Sequence, residues 1–136
     1  MRTCTSILIA LLLIGCTSSK LPPPGPGVTS TTSNDAAFTV QWSTRPEAIP
    51  VNDFFEVDVL LLGPDGAPLP NATLDVDAAM PHHRHGMNHR SHMVDVGSGR
   101  WRAEDMLFHM PGAWVLYFDV KQDGVVRRAQ VDVEVD

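Results

Sequence analysis

The sequence predicts an all-β fold, an immunoglobulin-like antiparallel β-sandwich of about seven strands. From Ala37 onward, apolar and polar residues alternate with a period of two in short runs rich in Val, Phe, Trp and Leu. Clusters of Gly, Pro and Asp separate these runs, as turns do. No stretch has the periodicity of an amphipathic helix of useful length. An eight-stranded closed barrel is the alternative fold.

The alternation places each strand in turn. It is clearest where Trp114, Leu116 and Phe118 alternate with more polar neighbours, so one face of that strand is buried and the other is wet. The predicted strands lie near residues 38–44, 54–62, 72–79, 93–96, 101–105, 113–121 and 125–135.

The connections between these strands sort the loops by position. Consecutive strands of such a sandwich run antiparallel, so successive loops alternate between its two ends. We therefore expect loops 45–53, 80–92 and 106–112 to share one end, and loops 63–71, 97–99 and 122–124 to share the other. The first set contains every histidine of the chain.

The N-terminal residues predict export. Met1-Arg2 supplies a positive start, and residues 7–14 form an apolar run too short to span a bilayer, as in a signal peptide. Leu13-Ile14-Gly15-Cys16 resembles the bacterial lipobox, in which the cysteine is acylated after cleavage. Residues 1–15 are thus a predicted lipoprotein signal peptide with lipidation at Cys16. Thr17 stands where lipoproteins of the inner membrane often carry Asp, which favours the outer membrane, facing the periplasm.

The length of 136 residues allows one folded domain with appendages. Residues 16–36, the lipidated cysteine and a Pro/Ser/Thr-rich stretch, are predicted to be a tether, and 37–136 the domain. Cys4 leaves with the signal peptide and Cys16 carries lipid, so no thiol remains for a disulfide or a nucleophile.

Several function classes are disfavoured. The formal net charge is −6 and no run is rich in Lys or Arg, which argues against a nucleic acid partner. The chain has no Gly-x-Ser-x-Gly, no free thiol and no Gly-rich phosphate loop, so we expect no enzymatic activity.

Side chains able to bind a metal ion are concentrated in residues 80–93, which hold five histidines and three methionines and no carboxylate. Loop 106–112 adds one imidazole and two thioethers at the same predicted end. In an extended segment His83, His85 and Met87 project to one side and His82 to the other. Met106 is expected in the core. The candidate metal ligands are Met80, His82, His83, His85, Met87, His89, His92, His109 and Met110.

Imidazole suits copper and zinc, and thioether selects reduced copper, whereas calcium and magnesium prefer oxygen ligands. Copper is therefore the predicted ion, and zinc held by three or four histidines is the alternative.

These residues resemble a known family. Met80-Pro81 with His85-Gly86-Met87, and above all Phe108-x-Met110-Pro111-Gly112-x-Trp114, look like the YtkA-like domain family of small exported bacterial proteins, over residues 37–135. The resemblance implies an immunoglobulin-like sandwich associated with copper handling in the cell envelope and no established catalysis. The residues that match its candidate site are Met80, His85, Met87 and Met110, and His82, His83, His89 and His92 are additional to the motif.

The predicted function is that of a lipid-anchored copper-binding protein, a buffer or chaperone for Cu(I) and Cu(II) that exchanges the ion with a copper-accepting envelope protein. The alternative is a tethered adhesion or scaffolding module whose methionines form an adaptable interface without metal.

Overall fold

The alternating segments form nine strands in the computed structural model, which describes residues 27–136. The strands are β1 (Thr29–Thr32), β2 (Thr39–Arg45), β3 (Phe54–Leu62), β4 (Ala72–Met80), β5 (His85–Gly86), β6 (His92–Gly97), β7 (Arg100–Leu107), β8 (Gly112–Gln122) and β9 (Val125–Val135). One turn of 3-10 helix, Pro81–His83, joins β4 to β5. The predicted signal peptide, the lipidation of Cys16 and tether residues 17–26 lie outside the described residues.

The strands form two sheets. One has five strands in the order β1-β2-β3-β7-β6, and the other has four in the order β5-β4-β8-β9. Every pairing between these strands is antiparallel. The predicted β-sandwich is confirmed, with nine strands rather than seven, and the closed barrel was the wrong alternative. In the part of the chain that is described, no helix has the length and apolar character needed to cross a bilayer.

The core lies between the two sheets and is built by the inward residues of the predicted alternation. Trp114, Leu116 and Phe118 on β8 are fully buried. The ring of Phe118 meets that of Trp42, on β2 of the other sheet, with centroids 5.9 Å apart. Burial of these large side chains from both sheets is the main term that holds the sandwich together.

The tether prediction is wrong for residues 29–32, which pair with β2 as an edge strand from Thr29↔Trp42 to Thr32↔Thr39. The turn that follows is closed by Ser33, whose side chain is 5% exposed. Its hydroxyl accepts hydrogen bonds from the N–H groups of Ala37 and Phe38, at 2.9 and 3.2 Å, and donates to Asp35 at 2.8 Å. The folded domain therefore begins before residue 37.

The expected grouping of loops is confirmed at the end that holds the histidines. The N–H of Asn52, in loop 45–53, donates to the carbonyl of Phe108, in loop 106–112, at 2.8 Å. The ring of Phe54, the residue of β3 that follows loop 45–53, meets the ring of His89, in loop 80–92, with centroids 5.3 Å apart. We call this end of the sandwich, formed by loops 45–53, 80–92 and 106–112, the His/Met end.

Replacing Ser33 with Ala tests the position of the domain boundary. Ser33→Ala leaves the buried N–H of Phe38 without an acceptor, so we expect the free energy of unfolding to fall by about 1–3 kcal/mol. Urea denaturation measures this change, with Ser30→Ala on the exposed side of β1 as the control. Equal stability of the two variants would show that the hydrogen bonds of Ser33 do not stabilise this turn.

The same turn predicts a dependence on acid. The Ser33 hydrogen bond, the first of several contributions, lowers the pKa of Asp35 from its ordinary 3.8. A carboxyl whose pKa is lower in the folded state stabilises the fold above its unfolded pKa, and loses that contribution as the pH falls through the folded one. We therefore expect the stability gap between wild type and Asp35→Asn, measured by urea denaturation, to narrow below about pH 4.

Candidate functional site

Loop 80–92 leaves β4 through a tight turn. After the 3-10 turn, Arg84 takes a left-handed conformation with φ 58°, and its N–H donates to the carbonyl of Pro81 at 3.2 Å. The chain then runs back along β4, with His85 opposite Met80 and Gly86 opposite Ala79. The sequence-based expectation of an extended segment is thus wrong over residues 81–84, because proline starts a helical turn there.

This turn still brings His83 and His85 together, with ring centroids 5.8 Å apart. The return strand lies close against β4, since a Cβ on Gly86 would sit 3.2 Å from the carbonyl oxygen of Ala78. The same carbonyl accepts the N–H of Met87 at 3.2 Å. Glycine at position 86 therefore permits the close approach that fixes His85 and Met87.

Trp114 anchors the second loop of the site. Its indole is fully buried and stacks on Phe108, with centroids 4.3 Å apart and planes 2° from parallel. The indole N–H donates to the carbonyl of Met110 at 3.0 Å. Both ends of the segment 108–110 are therefore held by one side chain of β8.

His85 and His109 meet beside this tryptophan. Their ring centroids are 5.0 Å apart, and each ring lies edge-on to Trp114, at 6.0 Å for His85 and 5.5 Å for His109. Both histidines are half-buried. His83, His85 and His109 thus form a continuous row of imidazoles that leads from the surface to the indole.

The hydrogen bonds leave nitrogen atoms of this row free. Nδ1 of His85 lies 3.2 Å from the carbonyl oxygen of Gly86. A carbonyl only accepts, so this contact puts the proton on Nδ1 and leaves a lone pair on Nε2. Nδ1 of His109 is buried and has no hydrogen-bond partner among the described residues. Such an atom costs stability unless something else satisfies it.

The methionines divide into two groups. Met87 and Met110 are half-buried and pack against the edge of the core at the His/Met end. Met80 and Met106 are 1% and 0% exposed. Met106 is thus a core residue, as expected. Met80, a predicted ligand, also lies in the core, beside Gly112, where a Cβ would come within 3.1 Å of the Met80 methyl carbon.

The remaining histidines stay on the surface. His82 is exposed in the 3-10 turn. His89 is exposed and its ring packs edge-on to Phe54. His92 is the first residue of β6, in the other sheet, where it lies opposite Glu104. Of the predicted ligands, the row of His83, His85 and His109 is therefore the part that ring-to-ring contacts bring together.

No group of three His, Cys, Asp or Glu side chains able to hold a metal ion occurs within residues 27–136. The thioethers outside the fully buried core are those of the half-buried Met87, Met93 and Met110. Met87 and Met110 are predicted ligands, whereas Met93 lies on β6 opposite Ala103.

Trp114 was assigned no role by the sequence reasoning, although it positions this site. The signal for it was present in the spacing Phe108-x-Met110-x-x-x-Trp114, which puts two aromatic residues and the Met110 carbonyl at the ends of one short loop. A tryptophan at an inward strand position is ordinarily a core residue. Alternation alone therefore could not show that its indole N–H reaches a loop carbonyl.

Replacing Trp114 with Phe tests this anchoring. The variant loses the indole N–H and leaves the Met110 carbonyl without its donor, at a cost of about 1–3 kcal/mol. We expect faster amide hydrogen exchange in loop 106–112 while β8 and β4 stay protected. Trp101→Phe, on half-buried β7, is the matched control. Unchanged exchange in the loop of the Trp114 variant would contradict the anchoring role.

Comparison with known proteins agrees with the resemblance in the motifs. No curated protein and no solved structure matches the chain. The family model described as YtkA-like matches residues 30–119, from within β1 to within β8. That match includes the turn of β4 into β5, loop 106–112 and Trp114, and it covers well over half of the sequence. The chain therefore belongs to the YtkA-like family.

Proposed function

We propose that this protein binds copper in the bacterial cell envelope and exchanges it with another envelope protein. In this proposal it is exported and anchored by lipid at Cys16, at the outer membrane on the periplasmic side. It acts as a buffer or chaperone, so the ion is its cargo. No catalytic step is assigned to it.

One observation carries the proposal, the half-buried pair of His85 and His109 with an unsatisfied imidazole nitrogen. Two imidazoles that share an ion each place a nitrogen about 2 Å from it. Ring centroids about 5–6 Å apart are compatible with that arrangement, and those of His85 and His109 are 5.0 Å apart. An ion would also satisfy Nδ1 of His109, which has no partner among residues 27–136.

The ligand types favour copper over zinc. The two methionines near this pair, Met87 and Met110, offer soft thioethers, which bind Cu(I) well and add little to a zinc site. Loop 80–92 offers no carboxylate to a harder ion. A mixed set of imidazole and thioether suits both oxidation states of copper, with nitrogen favouring Cu(II) and sulfur favouring Cu(I).

The gradient of exposure favours exchange over storage. His82 and His83 are exposed at the surface, His85 is half-buried, and Nδ1 of His109 is buried. An ion can be passed along such a row by replacing one ligand at a time, without being released to water. Because more donors are present than one ion needs, the outer histidines are free to take part in capture and release.

The first experiment is a competitive titration of residues 17–136 with Cu(I), Cu(II) and Zn(II) against chelators of known affinity. We expect tight binding of one equivalent of Cu(I) and weaker binding of Zn(II). Affinity should fall at acidic pH, because protons compete with metal for imidazole nitrogen. Tighter binding of Zn(II) than of copper would mean that the cargo is zinc. Weak binding of all three ions would favour the adhesion or scaffolding module.

Matched double variants locate the site. His85→Ala/His109→Ala removes the half-buried pair, and His89→Ala/His92→Ala removes two exposed imidazoles from the same end. We expect the first to lower Cu(I) affinity by at least about 100-fold, since second-shell losses alone cost 10–100-fold, and the second to retain one equivalent. Equal effects of the two variants would mean that the half-buried pair is not the site. Circular dichroism confirms that both variants fold.

His109→Leu separates binding from stability. Leucine fills a similar volume without a polar atom. The free energy of unfolding of the metal-free variant should therefore equal that of the wild type or exceed it by up to about 1 kcal/mol. Copper at 100 times its dissociation constant should stabilise the wild type by about 2.7 kcal/mol and the variant by much less. Thermal unfolding with and without Cu(I) measures both quantities. A variant that is less stable without metal would indicate a structural histidine.

A further inference from the structure

The chain enters the folded domain at the His/Met end. β1 begins at Thr29 opposite Trp42, and it runs away from loop 45–53 because it is antiparallel to β2. Residues 27 and 28, which precede β1, therefore lie toward that loop. Gly27 reaches Glu47, since a Cβ on this glycine would lie 3.6 Å from Oε1 of Glu47. Gly27, the first described residue, and the candidate site thus share one end of the sandwich.

The length of this segment limits the distance to a lipid on Cys16. Ten residues lie between Cys16 and Gly27, and the eleven Cα-to-Cα steps of a fully extended chain span no more than about 40 Å. The opposite end of the domain lies further away by the length of a strand. β9 has 11 residues, which corresponds to about 30 Å.

We propose that the His/Met end faces the membrane that holds the lipid, and that the copper partner is a protein embedded in that same membrane. Both parts rest on the proposed function, the choice of partner on copper binding and the orientation on the lipid at Cys16. The tether holds the His/Met end within about 40 Å of the lipid. A copper site embedded in that membrane is therefore within reach of the exposed histidines, and the protein exchanges the ion without leaving its anchor.

Charges of both signs lie at this end of the sandwich. Arg84 and Arg90 are exposed and form no ion pair within residues 27–136. Basic side chains near a membrane are attracted to lipid phosphates. Acidic side chains at the same end oppose this attraction, namely Glu47 and Asp53 in loop 45–53, Glu104 and Asp105 late in β7, and Asp136 after β9. The point of attachment, more than the charge, therefore sets the orientation.

The experiment measures this orientation without metal. The full lipidated chain is placed in phosphatidylcholine vesicles that contain a headgroup-labelled acceptor lipid. A donor dye is attached at one introduced thiol, either Asn88→Cys at the His/Met end or Val125→Cys at the β8–β9 turn. Both native residues are exposed. Energy transfer from position 88 should exceed that from position 125 by at least about twofold, given a separation of about 30 Å.

A longer tether supplies the control. Twenty Gly/Ser residues inserted between Pro26 and Gly27 should bring the two efficiencies closer together, because the domain can then turn freely. Equal or reversed efficiencies with the native tether, or no association with the vesicles, would overturn the proposal. Because no copper is present, these outcomes leave the copper titrations unaffected, and failure of those titrations leaves the orientation standing.

Discussion

The burial of Trp114 is the constraint on which the His/Met end depends. Its indole stacks on Phe108, holds the Met110 carbonyl and faces the edges of the His85 and His109 rings. The tryptophan sits at an inward position of β8, which pairs with β4 on one side and β9 on the other. The functional loops are therefore positioned by the strongest part of the fold, as a precise site requires.

At position 109, stability and the proposed function require different side chains. A core built for stability alone would place an apolar side chain there, since an unsatisfied buried nitrogen is costly. Natural proteins concentrate such violations at functional sites, where a ligand compensates for them.

The sequence predicted most of the fold because alternation and turns are local signals. β3 was predictable in this way, because its buried residues Phe55, Val57, Val59 and Leu61 occupy every second position. β1 did not, since Thr29–Thr32 is a polar edge strand whose place is decided by pairing with β2. The turn at Pro81–His83 was missed because the histidines suggested an extended row, whereas proline favours a helical start.

The candidate site was predictable as a set of residue types at one end but not as a pair within that set. Nothing in the spacing of His85 and His109, which lie 24 positions apart in the printed sequence, distinguishes them from His89 or His92. The distinction comes from position in the sandwich. Residues 85 and 109 border the buried indole, whereas residue 92 opens a strand of the opposite sheet. In the proposed function, burial and not abundance therefore decides which histidines bind the ion tightly and which remain free to capture or release it.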